Sequence, residues 1–191
     1  MAKCSICNSR KGKRKCLVSD TMICSLCCGA SRSEDACMDC SYYQKPKRKY
    51  NEVPKFTTTQ MENDTQLSDY SNVIEGALCS YDMELKNKLQ DGDAIKILEL
   101  LLDKYHFSDT KIETNDPVLI SGFKYLDKAI EKDLSKIDRE TLVNVLAVIR
   151  FVANRRTKIG REYMSIIHQY VGQRIDTGVR VLPQCRFLKR I

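Results

Sequence analysis

The run Leu142-Val-Asn-Val-Leu-Ala-Val-Ile-Arg-Phe-Val-Ala153 decides the fold, because ten of its twelve positions are apolar and only Asn144 and Arg150 interrupt it. Such a run is too short to cross a bilayer, which takes about 20 residues. It reads instead as a central helix, apolar on nearly every side and buried by its neighbours, with Asp138 upstream to start it. Toward the C-terminus, residues 161–174 repeat the helical pattern with Tyr163, Ile166, Ile167, Tyr170 and Val171, and a short extended tail, Val179-Arg-Val-Leu-Pro183, follows. Toward the N-terminus, Asp116-Pro117 marks another start, since Asp caps free amides and Pro is tolerated at the first helical position. Leu119, Phe123, Leu126 and Ile130 then share a face. Asp93 is a candidate cap for a helix through Ala94, Leu98, Leu101 and Tyr105. A first helix from about Asp69 places Val73, Ala77, Tyr81 and Leu85 together and ends at Gly92. The expectation is a mainly α body over residues 69–191, an array of about five helices. Residues 44–68, bracketed by Pro46 and Pro54 and β-branched over 53–60, read as a linker.

Residues 1–43 are of another kind. Eight of the ten cysteines lie there, as Cys4-x2-Cys7, Cys16, Cys24-x2-Cys27-Cys28 and Cys37-x2-Cys40. The N-terminus lacks the apolar core of a secretory signal, so an intracellular, cytoplasmic location is expected. In a reducing compartment clustered cysteines serve metals rather than disulfides. A CxxC turn brings two sulfurs to one ion at about 2.3 Å, and four such ligands close a structural zinc site with no open position for catalysis. An iron–sulfur cluster or a redox pair would use the same residue type, but ligand number and spacing favour zinc. The remaining two cysteines, Cys79 and Cys185, have no partner at ligand spacing and read as small buried side chains.

Two partitions of the eight ligands are open. Strict alternation would place the adjacent Cys27 and Cys28 on one ion, although neighbouring side chains diverge. The preferred assignment gives Cys4, Cys7, Cys24 and Cys27 to one zinc and Cys16, Cys28, Cys37 and Cys40 to a second, so that the sites interleave. The local apolar residues, Ile6, Leu17, Val18, Met22, Ile23 and Leu26, are too few for a core. Metal binding, about 10–16 kcal/mol for structural zinc in peptides, would supply the stability.

The stretch Ile23-Cys24-Ser25-Leu26-Cys27-Cys28-Gly29, with Arg32 and then Cys37-x2-Cys40-Ser41-Tyr42-Tyr43, resembles an N-terminal cysteine-rich module of uncharacterised prokaryotic proteins. More generally it is similar to interleaved, treble-clef-like double zinc fingers of the HIT, MYND and B-box kind. Those families also use His ligands, whereas the first histidine here is His106. The resemblance implies zinc. It leaves the partner open, because such modules serve protein contacts as often as nucleic acid.

The formal charge of +7 is unevenly placed: +7 over residues 1–50, −8 over 51–140 and +8 over 141–191. Two Zn(Cys)4 centres, each net −2, would reduce the total to +3, so only local patches argue for a polyanion. One patch is the loop Arg10, Lys11, Lys13, Arg14 and Lys15. A second interleaves Tyr42, Tyr43, Lys47, Arg48 and Lys49 with Tyr50, which is the chemistry of a single-stranded nucleic-acid path. A third gathers Arg150, Arg155, Arg156, Lys158 and Arg161 near a helix junction. Each has a plainer reading: the first two neutralise thiolates and cover the metal module, and the third pairs with the acidic middle of the chain.

No enzyme is expected. His106 and His168 stand outside any catalytic motif, and the scattered glycines form no phosphate-binding loop. The leading expectation is a zinc-binding accessory protein that contacts nucleic acid; the rival is an adaptor or assembly subunit of a larger protein complex, in neither case at a membrane.

Overall fold

The computed structural model describes residues 2–43, 48–157, 160–182 and 185–190. The chain forms two compact units, Met1–Arg48 and Lys49–Ile191. The fold is mainly α, with eight α-helices among the described residues.

In the first unit, β1 (Arg14–Lys15) and β2 (Met22–Ile23) pair antiparallel, with Arg14 opposite Ile23. Gly12 lies against this hairpin so closely that a Cβ there would sit 2.9 Å from the Met22 carbonyl oxygen, which excludes any side chain. Two short helices follow, α1 (Ser25–Ala30) and α2 (Glu34–Cys37). The apolar core is three residues, Cys4, Ile23 and Cys24, with the other sulfurs packed round it. Ile6, Leu17, Val18, Met22 and Leu26 are exposed, so the described residues of this unit form no hydrophobic core of ordinary size.

The second unit opens with a 3-10 turn (Tyr50–Glu52), followed by α3 (Thr58–Asn63) and α4 (Thr65–Glu84). Both α-helices overlap the stretch read from sequence as linker. The β-branched run Thr57-Thr-Thr suggested extension, but Thr57 and Gln60 form a capping box, and Asp64 caps α4 through the amides of Gln66 and Leu67. These local hydrogen bonds outweigh the modest propensity penalty of threonine. Pro46 lies outside the described residues.

Next come α5 (Asp91–Tyr105), α6 (Pro117–Asp133), α7 (Arg139–Arg156) and α8 (Glu162–Tyr170). Asp116 with Pro117, and Asp138, cap α6 and α7 as expected. The α4–α5 junction differs from expectation. Lys86 and Asn87 take the left-handed conformation and stop α4, while Gly92 sits inside the first turn of α5, behind an N-cap at Gln90 rather than Asp93.

The core is built from α4 to α8. Helix α5 packs on α6 and α7, and α4 packs on α6, α7 and α8. Leu142, Val145, Leu146, Ile149 and Ala153 of α7 are buried, with Leu98, Leu101, Leu126 and Met164 from its neighbours. Cys79 is fully buried as expected, while the side chain of Cys185 lies outside what the structure describes.

The last helix is shorter than the expected 161–174. It stops at Gly172, whose φ of +75° and amide bond to the Ile167 carbonyl (2.9 Å) make it a left-handed cap. Beyond it the chain forms an antiparallel sheet of β3 (Gln173–Asp176), β4 (Val179–Leu182) and β5 (Cys185–Arg190), in the order β3-β4-β5. Only a single extended tail was expected, and Pro183 of that tail lies outside the described residues.

Candidate metal centre

The first cysteine set is assembled by two turns. Asn8 donates its amide to the Cys4 carbonyl (2.9 Å), closing the turn that holds Cys4 and Cys7. Cys24 is the N-cap of α1, and its sulfur accepts the Cys27 amide at 3.4 Å. The sulfurs of Cys4, Cys7, Cys24 and Cys27 all lie within 4.8 Å of one another, with Cys7 and Cys24 4.0 Å apart. A tetrahedral zinc with 2.3 Å bonds needs sulfurs about 3.8 Å apart, so the cluster fits one ion.

Its electrostatics point the same way. Hydrogen bonding from the Ser9 side chain, then from the Ser9 and Arg10 amides, brings the Cys7 thiol down to about 5. Cys4 is lowered chiefly by the Cys7 amide. Cys27 moves oppositely, to about 12, first through the Cys24 side chain and then through burial. Four sulfurs this close repel one another when ionised, and a divalent cation at their centre removes that conflict.

The second set is gathered but not closed. Cys16, Cys28, Cys37 and Cys40 all border one cavity of about 170 Å³, whose apolar lining includes Leu17, Val18 and Ile23. Among the described residues no second group of three or more metal-ligating atoms is as tight as the first. The structure therefore supports one four-cysteine cluster, and the second zinc expected from the sequence is not formed as a cluster. Cys27 belongs to the tight group, whereas Cys28 borders the cavity.

Cys28 receives two guanidinium groups, Arg14 Nη1 at 3.6 Å and Arg32 Nη2 at 4.0 Å. The Arg14 hydrogen bond is the main cause of its lowered pKa. Arg14 also lies 5.1 Å over the Tyr42 ring and Arg32 6.0 Å over Tyr43. Cys16 is lowered by the Ser19 side chain and by the Ser19 and Val18 amides. Ser19 stands three residues after Cys16, at the spacing of the second cysteine of a CxxC turn, a signal present in the sequence. The involvement of Arg32 was not foreseen.

No protein-family model, curated protein or solved structure matches this chain.

The cationic residues divide into engaged and exposed. Arg10, Lys11 and Lys13 are exposed. Lys15 pairs with Asp20 (2.8 Å), Lys49 pairs with Glu52 (2.9 Å), and Arg48 is half-buried. Lys47 and Lys158 lie outside the described residues. Arg150 is buried, bonded to Glu99 and to the Asn51 side chain (2.7 Å). Arg161 reaches the fully buried Asp82 through Nη2 (2.7 Å) and Nη1 (3.0 Å), so it pairs internally instead of facing a partner. His168 Nε2 lies 2.7 Å from the same carboxylate. Arg155 and Arg156 are exposed, and Arg155 and Lys55 both stack on Phe151. No described helix is long and apolar enough to cross a membrane.

Proposed function

We propose that this chain is a non-catalytic adaptor whose N-terminal unit, held by two structural zinc ions, docks on another protein. The observation that carries this reading is the outward placement of large apolar side chains. Ile6, Leu17, Val18, Met22, Leu26, Met38 and Tyr42 are all at least 38% exposed in a unit of 48 residues, whereas among the described residues of the much longer helical unit Met83, Phe107, Tyr170 and Ile175 are the large apolar side chains exposed at 36% or more. Ile6, Leu17, Val18 and Tyr42 border one cavity and so lie together, and a contiguous exposed apolar patch marks an interaction site. The zinc ions would hold that surface in place of a core: the first on Cys4, Cys7, Cys24 and Cys27, the second drawing Cys16, Cys28, Cys37 and Cys40 inward round the cavity they border.

The nucleic-acid reading is second. It is favoured by exposed Arg10, Lys11 and Lys13 and by the Lys55–Phe151–Arg155 stack. It is weakened by the use of Arg14, Arg32, Arg150 and Arg161 within the fold.

Elemental analysis of chelator-free protein is expected to give two zinc ions per chain; one would remove the second site, and none the whole reading. Tagged protein from its native cell is expected to hold a stoichiometric protein partner through nuclease and high salt. The double variant Leu26→Asn/Met38→Asn, at exposed positions that do not line the cavity bordered by the second cysteine set, should release that partner and keep both zinc ions. Release by nuclease would favour nucleic acid instead.

A further inference from the structure

The helical unit contains a cavity of about 220 Å³ between α3, α4 and α7, and it is unrelated to the cysteines. That volume is roughly seven waters' share of liquid. Its walls are the side chains of Met61, Val148, Ile149 and Val152, its mouth is the exposed Thr58 and Glu62, and Glu75 lies within it beside Ser71.

We propose that this cavity binds a small alkylammonium ion, with Glu75 as the counter-charge and the α7 valines and isoleucine as the alkyl wall.

Three observations carry the assignment. The first is charge: both ionisable groups lining the cavity, Glu62 and Glu75, are acidic, so an anion would be repelled. The second is hydrogen-bonding capacity. Glu75 Oε1 accepts Tyr163 Oη–H at 2.9 Å and Oε2 accepts Ser71 Oγ–H at a long 3.4 Å. These two donors orient the carboxylate and leave further lone pairs for a ligand, since an ionised carboxylate has about four acceptor sites. The third is weak counter-charge. Burial, the largest influence, pushes the Glu75 carboxyl up to about 7, while Arg180 of β4 opposes this less than the Tyr163 and Ser71 hydrogen bonds do and does not line the cavity. An ammonium group entering from the mouth would bring three donors and one positive charge to a carboxylate that holds one short and one long hydrogen bond. Its alkyl part would cover the methyl groups of Val148, Ile149 and Val152.

The test is titration of the full chain with n-butylammonium chloride, followed by amide chemical shifts, with n-butanol and sodium butyrate as parallel probes. Saturable shifts centred on residues 58–62, 71–75 and 148–152 are expected for butylammonium, with butanol and butyrate each at least about tenfold weaker, equivalent to about 1.4 kcal/mol. Glu75→Gln keeps an acceptor for Tyr163 and is expected to weaken butylammonium by about tenfold as well. The proposal is overturned if butylammonium gives no saturable shift below about 100 mM, if butanol binds equally, or if folded Glu75→Gln binds unchanged. Should that variant not fold, the butylammonium–butanol comparison on the unaltered chain decides alone.

Discussion

Single side chains in the helical unit hold charges that the core could not otherwise tolerate. Asp82 is fully buried, yet Arg161, the Leu89 amide and His168 surround it, and its pKa is lowered although burial, the largest single influence, acts to raise it. Removing one partner of such a pair strands a charge, at a cost of about 3–5 kcal/mol. Arg161→Ala is therefore expected to lose that much in urea unfolding, and Asp82→Leu/Arg161→Ala to recover part of it. Because the folded pKa of Asp82 is depressed, its contribution is present above the ordinary carboxylate range and disappears as pH falls through the lowered value. Glu75 has the opposite sign. Its pKa is raised from 4.5 to about 7, so the folded chain loses stability as pH climbs through that interval. Glu75→Gln is expected to match the unaltered chain below pH 4.5 and to exceed it by up to about 3 kcal/mol above pH 7, read from denaturation midpoints across pH. Neither carboxylate was distinguishable in the sequence from any other acidic residue on a helix. Arg161 of the first pair and Tyr163 of the second lie 79 and 88 positions away, beyond any local pattern.

At the level of elements, legibility followed the range of the interaction responsible. Asp116-Pro117 and Asp138 act through amides two or three residues on, and those helix starts were readable. The same local rule placed α3, but the threonine run masked the Thr57–Gln60 box. The β3-β4-β5 sheet depends on pairing between strands that are individually short and weakly patterned, which leaves little periodicity to read. Helix crossings were equally hidden. Gly122 of α6 faces Tyr81 and Ile97 so closely that a Cβ would sit 2.8 Å from the tyrosine ring. Gly122→Ala would be neutral or better on helix propensity alone. Here it is expected to destabilise by about 1–3 kcal/mol, the usual cost of overpacking, as a lower thermal midpoint.

Across the whole molecule the two units draw stability from different sources. The helical unit has a continuous apolar core, whereas the buried apolar cluster among the described residues of the first is Ile23 with the sulfurs of Cys4 and Cys24. The cysteine pattern made this division visible, because CxxC pairs have metal-ligand spacing and one such set does gather in the fold. Which cations would be spent inside the fold was not visible, since Arg14 and Arg10 look alike in sequence. A strong chelator is expected to erase the dispersed amide resonances of residues 4–40 and leave the thermal midpoint of residues 49–191 within a few degrees. A comparable loss from both regions would contradict separate sources of stability.

The buried Asp91 adds a constraint on the order of manufacture. It sits at the start of α5, yet its carboxylate is satisfied by the amides of Tyr163 and Met164 at 3.0 Å each, 72 and 73 positions later in the chain. A polypeptide still emerging from the ribosome can make α4 to α7 in sequence, but until α8 is synthesised both Asp91 and Asp82 lack the partners that let them stay dry. Such a partial chain must keep that end of the bundle open to water. The final assembly of the body thus waits for its last helix, and chains halted before residue 161 should appear as loosely folded, aggregation-prone material.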